Sequence, residues 1–115
     1  MSIIYHSFYK DNSIMYRHVT DENPDNDSFC FHIHNQYEIF YFIKGIGSLL
    51  VETTVYPLVP DTIIIVRPLE THRINISDST SYERFTINFS EDLIDDIDPE
   101  HTLLAPFKAL NFSPL

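Results

Sequence analysis

Cysteine, glycine and basic residues are scarce in this 115-residue sequence, and long apolar runs are missing altogether. The single cysteine, Cys30, has no internal partner, so the fold must stand on its core rather than on disulfides. A chain of this length buries roughly two thirds of the surface its unfolded form exposes, which is sufficient for one domain. No charged-then-apolar leader opens the sequence, and a reducing cytoplasm is the expected setting. In that setting the Asn-x-Ser triplets at Asn26, Asn75 and Asn88 are chance matches. No run approaches the roughly 18 apolar residues of a membrane span, so no membrane partner is expected. Seven Lys and Arg face 17 Asp and Glu, a formal charge of −10. A surface that replaces phosphate counterions needs a basic stripe, and with none present the chain by itself should not bind DNA.

The acidic excess is concentrated. Residues 21–27 hold Asp21, Glu22, Asp25 and Asp27, and residues 91–100 hold Glu91, Asp92, Asp95, Asp96, Asp98 and Glu100. The remaining seven acids match the seven bases, so the rest of the chain is formally neutral. Both runs read as solvated, one a loop and one a helix face.

The dominant periodicity is two. Short runs rich in Ile, Val, Phe, Tyr and Thr recur near 3–9, 14–19, 28–34, 37–44, 48–53, 62–67, 72–76 and 83–89, separated by Asn, Asp, Pro and Gly. So many short strands predict a mainly β sandwich or barrel. The two glycines, Gly45 and Gly47, close the most aromatic strand, where a tight hairpin calls for positive φ. Ser90 can cap a short helix carrying Glu91 and Asp92 in its first turn, with Leu93, Ile94 and Ile97 on one side. Asp98-Pro99 offers a second start, giving a turn or two over 99–105 before Pro106. A barrel over residues 1–89 with a helical extension over 90–115 follows.

Strand parity groups side chains. In 28–34 the even positions Cys30, His32 and His34 share a face, which Glu38, Phe40 and Phe42 can continue across a hairpin. The odd set, Tyr37, Ile39, Tyr41 and Ile43 included, is apolar too, and a sheet apolar on both faces must be covered on both. One face then lines the interior. The other requires the C-terminal helices, a second subunit, or both.

The chemistry concentrates in His32-x-His34-x-x-x-Glu38, with Gly45 following, and in Pro68-Leu-Glu-Thr-His72 with Asn75 downstream. This pattern resembles the cupin superfamily, and the resemblance places four metal-ligand positions on His32, His34, Glu38 and His72. Asn26 stands where the first cupin motif opens with glycine, and the second motif lacks its internal glycine and is one residue short between Pro68 and His72. The run H-x-H-x-x-Y-E-I-x-Y-x-x-x-G-x-G, the block Tyr56-Pro-Leu-Val-Pro-Asp and the closing Tyr82 to Phe89 resemble one branch, the ligand-binding domain of AraC-type transcription regulators, over about residues 28–98. The resemblance implies a small-molecule sensor, often for a sugar, whose DNA contacts come from a separate C-terminal helix-turn-helix domain absent from this sequence. It also implies possible homodimers.

Three imidazoles and a carboxylate suit Zn, Ni, Mn or Fe. The same groups serve equally as polar walls that hydrogen-bond a ligand. His32, His34, Glu38, Phe40, His72, Asn75 and Phe85 form the expected ligand-binding set. Phe8, Tyr16 and Phe42 join Phe40 and Phe85 as aromatics able to stack on a sugar face or to fill a core, and residues 1–12 form an arm able to close over the ligand. His6, His18 and His101 read as surface or satisfied histidines, and Cys30 as a small core residue. A metal-dependent cupin enzyme, an isomerase or dioxygenase, is the alternative, since an open metal position activates water, oxygen or a carbonyl. No further acid and base pair supports it.

Overall fold

A computed structural model describes residues 3–11, 13–26, 29, 31, 33–77 and 80–109. Among the described residues, eight strands form two antiparallel sheets. The larger has the order β1 (Ile3–Lys10), β2 (Ile14–Asp21), β8 (Tyr82–Phe89), β3 (Tyr37–Lys44), β6 (Thr62–Val66). The smaller has the order β5 (Thr54–Leu58), β4 (Gly47–Val51), β7 (His72–Ile76). The mainly β prediction holds, and short helices follow the last strand: α1 (Glu91–Ile97), a 3-10 turn at Thr102–Leu104, and α2 (Ala105–Ala109).

Alternating residues on β3 serve two separate cores. Phe40 and Phe42 face the smaller sheet and pack with Leu49, Val51, Leu58, Ile64, Val66, Ile76 and Tyr82. Tyr37 and Ile39 face the other way, where Ile94, Leu104 and Phe107 from the C-terminal helices pack with Phe89. The helices therefore cover the Tyr37 and Ile39 end of the odd-parity face from within the chain, while Ile63 on β6 stays exposed.

Local chemistry explains the turns. Asp11 Oδ1 accepts from the Ser13 and Ile14 backbone N–H groups at 2.7 and 2.9 Å, closing the β1 to β2 connection. Ser90 caps α1, accepting from Leu93 N–H at 3.3 Å.

Several expectations need correction. β5 lay hidden in the sequence because Pro57 sits in its middle, opposite Ser48. Proline is tolerated there because β5 is an edge strand whose outer side needs no ladder donor. The segment 28–34 is not strand at its described residues Phe29, Phe31, Ile33 and His34, since β8 and β6 already occupy both sides of β3. Cys30 and His32 lie outside the described residues. Residues 3–10 form an edge strand paired to β2 rather than an arm over a ligand. No helix begins at Pro99. Asp98 ends α1 and accepts from Thr102 Oγ1 and the Leu103 N–H, and Pro106 sits in the first turn of α2, where its missing N–H costs nothing. Ile97 stands in solvent rather than beside Ile94. Gly45 does have positive φ, +140°, but Gly47 does not. Its role is close approach, because an added Cβ would lie 2.2 Å from the Asn75 carbonyl oxygen.

Candidate functional site

The two sheets leave a cavity of about 340 Å³ between them, within the range of small-ligand sites. Its polar floor is laid down by strand register. On the inner face of the larger sheet, Met15 pairs with Asn88 and Asn88 with Glu38; one row along, Arg17 pairs with Thr86 and Thr86 with Phe40. A third row sets Val19 beside Arg84 and Arg84 beside Phe42.

Glu38, His34 and His72 meet at one end. Glu38 arrives on β3, His72 opens β7, and His34 reaches the cavity from the loop before β3. Two local devices deliver the histidines. Leu69 N–H donates to the His34 carbonyl at 2.9 Å, joining the His34 loop to the turn before β7. That turn is held by Glu70, whose carboxylate accepts from Arg67 N–H at 2.7 Å and from the Arg67 guanidinium at 2.9 Å. Leu69 adopts φ +65°, so a leucine takes a conformation that favours glycine in the motif that lacks one.

Glu38 Oε1 lies 3.4 Å from His34 Nε2 and 3.7 Å from His72 Nε2, and it accepts from Asn88 Nδ2 at 2.8 Å. Glu38, His72 and Asn88 are buried. Burial pushes the Glu38 carboxyl up, but the bonds from His34 and Asn88 and the nearby His72 outweigh it and hold the group below the usual carboxylate range. His34 is raised, chiefly by its bond to Glu38. His72 Nδ1 is 3.2 Å from the Glu70 carbonyl, which favours a proton there and turns Nε2 toward Glu38.

These three residues fit a divalent transition metal. One ligand atom from each lies within 4.8 Å of the others, and two imidazoles with a carboxylate suit such ions. A metal at about 2.1 Å from each ligand places tetrahedral donors roughly 3.4 Å apart, close to the two separations from Glu38 Oε1.

The other end of the cavity was not foreseen. Asp21, expected in a solvated acidic loop, is fully buried, and its Oδ2 accepts from Arg84 Nη1 at 2.5 Å. Arg84 also lies over the Tyr82 ring, 4.2 Å from its centroid. Arg17 and Thr86 complete this wall. The parity of β8, with Arg84, Thr86 and Asn88 alternating with aromatics and isoleucine, was the available signal.

Phe40 lines the cavity as expected, whereas Asn75 and Phe85 do not. Asn75 lies on the outer side of β7, where its Oδ1 accepts from Asn26 Nδ2 at 3.0 Å. Phe85 has the opposite parity to Thr86 and stacks on Tyr16, with centroids 5.6 Å apart, on the outer face of the larger sheet. Phe42 is core and Phe8 is exposed on β1. The histidines outside the motifs all have partners: His18 Nε2 sits 2.6 Å from Glu83 Oε2, His6 stacks on His18, and His101 Nε2 lies 2.5 Å from Asp95 Oδ1.

Comparison with known proteins bears on the family and the fold. The family described as the AraC-like ligand binding domain matches residues 16–112. No curated protein matches in sequence. Among solved structures, the cupin domain of Schizosaccharomyces pombe Cnp3 aligns with TM-score 0.65 and 13% identity, covering 83% of this chain and 69% of that one. A cupin superfamily protein from Desulfitobacterium hafniense gives TM-score 0.63 at 9% identity, covering 77% of this chain and 78% of the other. A Ralstonia eutropha protein described as a candidate mannose-6-phosphate isomerase gives 0.61 at 13% identity, covering 77% and 85%. At these identities the likeness is one of fold. No helix among the described residues is long and apolar enough to cross a membrane.

Proposed function

Since the chain belongs to the AraC-like ligand-binding domain family, we propose that it is the effector-sensing half of an AraC-type transcription regulator and that its cavity admits a small polar metabolite, a sugar or a relative. The observation that carries this reading is the cavity itself. It sits between the sheets with Glu38, His34, His72 and Asn88 at one end and Arg17, Thr86 and Arg84 along its wall. Such a site binds by a few placed polar groups set in a lining that includes Phe29, Phe40, Leu49 and Ile74. DNA contact falls to a separate helix-turn-helix domain, in keeping with the charge of −10 on this chain.

His34, Glu38 and His72 would hold a divalent ion, which when bound would polarise a ligand oxygen. The chain's own residues orient the ligand: Asn88 fixes the Glu38 carboxylate, and the Glu70 carbonyl fixes the His72 ring. The same trio supports the second reading, a metal-dependent cupin enzyme. The wall opposite the trio supplies guanidiniums and a hydroxyl, with no second acid and base pair beside it among the described residues, so the sensor reading is preferred.

The test is a thermal-shift screen against neutral sugars, sugar acids and small organic acids, run with Thr86→Tyr, which fills the cavity from a ladder position. A ligand present at about a hundredfold its Kd adds about 2.7 kcal/mol, or roughly 10 °C for a domain of this size. A shift in the parent that is lost in a folded Thr86→Tyr is expected. Ligand shifts of equal size in both would remove the cavity from the reading, and turnover of the ligand would favour the enzyme.

A further inference from the structure

We infer that the effector carries a carboxylate and that Arg17 receives it. This rests on the sensor reading above and sharpens it to a ligand class, a small hydroxycarboxylic acid.

Three observations lead there. The first is that Arg17 lines the cavity without an acid, in a chain where acids outnumber bases 17 to 7. Elsewhere Arg67 pairs with Glu70, Arg84 pairs with Asp21, and Arg73 lies over the Phe31 ring. Arg17 has no carboxylate within 4.0 Å among the described residues, and its Nε is buried without an acceptor. A buried guanidinium donor left unmatched is costly, and it persists where a ligand supplies the missing acceptor.

The second observation is that Thr86, directly across the ladder from Arg17, also has a buried hydroxyl without a partner. A guanidinium edge and a hydroxyl at paired ladder positions that both line the cavity match the two oxygens of a carboxylate, the first by a charge-assisted fork and the second as a single donor. A neutral hydroxyl on the ligand would satisfy Thr86 but leave the cation uncompensated.

The third is the distribution of charge around this point. Glu38, which would repel an anion, is one row away and already committed to Asn88, His34 and His72. Arg84 is held by Asp21, so it shapes the wall without competing for the ligand. Successive rows on one face of a sheet are about 7 Å apart. A carboxylate seated on Arg17 and Thr86 therefore leaves hydroxyls a few bonds further along the same molecule to reach the Glu38 and Asn88 end.

Propionate and propionamide, which share a shape and differ in charge, separate the possibilities. Arginine Nε–H resonances of the whole chain are followed by NMR as each is added at constant ionic strength, and the Arg17 signal is identified by its loss in Arg17→Met. Propionate should move that signal saturably and propionamide should not. Arg17→Met should weaken propionate at least about tenfold, the loss of one charge-assisted bond, and Arg17→Lys should restore part of it. Because it removes an unmatched buried donor, Arg17→Met should melt no lower than the parent without ligand, which also shows that it folds. Equal responses to both probes, or a propionamide response at Asn88 without one at Arg17, overturns the carboxylate and leaves the sensor cavity standing. Failure of both probes to move any cavity resonance counts against the carboxylate and the cavity reading together.

Discussion

Replacing Gly47 by alanine should open the smaller sheet where it seats His72. Gly47 lies on the central strand β4, opposite Ile76 of β7, and β7 begins with His72 opposite Val51. An alanine Cβ would stand 2.2 Å from the Asn75 carbonyl oxygen, 2.7 Å from Ile76 Cδ1 and 3.0 Å from Ile76 Cα. Ordinary contact begins near 3.4 Å, so the strands must part by about 1.2 Å. Two of these atoms are backbone, and no rotamer change relieves them. Opening by that amount takes ladder bonds near 2.9 Å past the distance at which they still count. The loss of about two such bonds costs about 2 kcal/mol. Unpacking Ile76 and Leu49, each 1% exposed, adds about 1–3 kcal/mol, the usual range for overpacking. The sum, about 3–5 kcal/mol, is a large part of the roughly 5–15 kcal/mol that holds a domain together. Urea denaturation of Gly47→Ala measures it, with the slope unchanged and the midpoint lowered. Hydrogen exchange should show early opening at Ile76. Gly45→Ala is the contrast: its Cβ contacts are softer, 3.2–3.3 Å, but φ is +140°, so the cost is torsional, about 1–3 kcal/mol, and β7 stays protected. A Gly47→Ala protein less than about 1 kcal/mol below the parent would mean that β4 and β7 do not approach each other this closely at Gly47.

Other substitutions examine the remaining layers. Leu104→Ala, at a fully buried position of the second core, should cost about 2–5 kcal/mol by calorimetry and expose Phe89 to hydrophobic dye; an unchanged melting point would mean that the helices are not docked. Asp21→Asn should cost about 3–5 kcal/mol in chemical denaturation, because it leaves Arg84 without its carboxylate in a buried setting; a cost under about 1 kcal/mol would show that the pair is solvated. Burial raises the Tyr82 phenol well above its ordinary value. Its contribution to stability is complete below pH of about 10 and is lost above it, as the unfolded chain sheds a proton that the fold retains, at about 1.4 kcal/mol per pH unit. Alkaline denaturation of Tyr82→Phe should lack that slope, and equal slopes would contradict the burial. Glu38→Gln and His72→Ala should each weaken Ni²⁺ or Zn²⁺ binding by calorimetry at least tenfold, on the order of one ligand; unchanged affinity would place the metal elsewhere.

Local sequence signals made the architecture and half of the candidate site legible. Period-two runs made β3, β6, β7 and β8 legible, because alternation is a local consequence of the pleat, and Ser90 marked the start of α1 for an equally local reason. The motif positions named His34, Glu38 and His72, and those three do converge. The failures have one physical root. Parity says which side chains share a face of a strand but not which strand lies beside it. Phe85 and Asn75 were assigned to the cavity on chain position, and register and pleat put them outside it. β5 was missed because the tolerance of Pro57 depends on its strand being an edge, a property of the whole sheet. Arg17 and Thr86 are 69 positions apart in the chain, and nothing local joins them. Pairing of β2 with β8 alone sets them opposite each other. Asp21 likewise looked like one more solvated acid, until that pairing placed Arg84 close enough for the Asp21–Arg84 ion pair inside the fold. Local chemistry fixed which residues can form strands, turns and caps; long-range pairing decided which polar groups meet, and so where a ligand can bind.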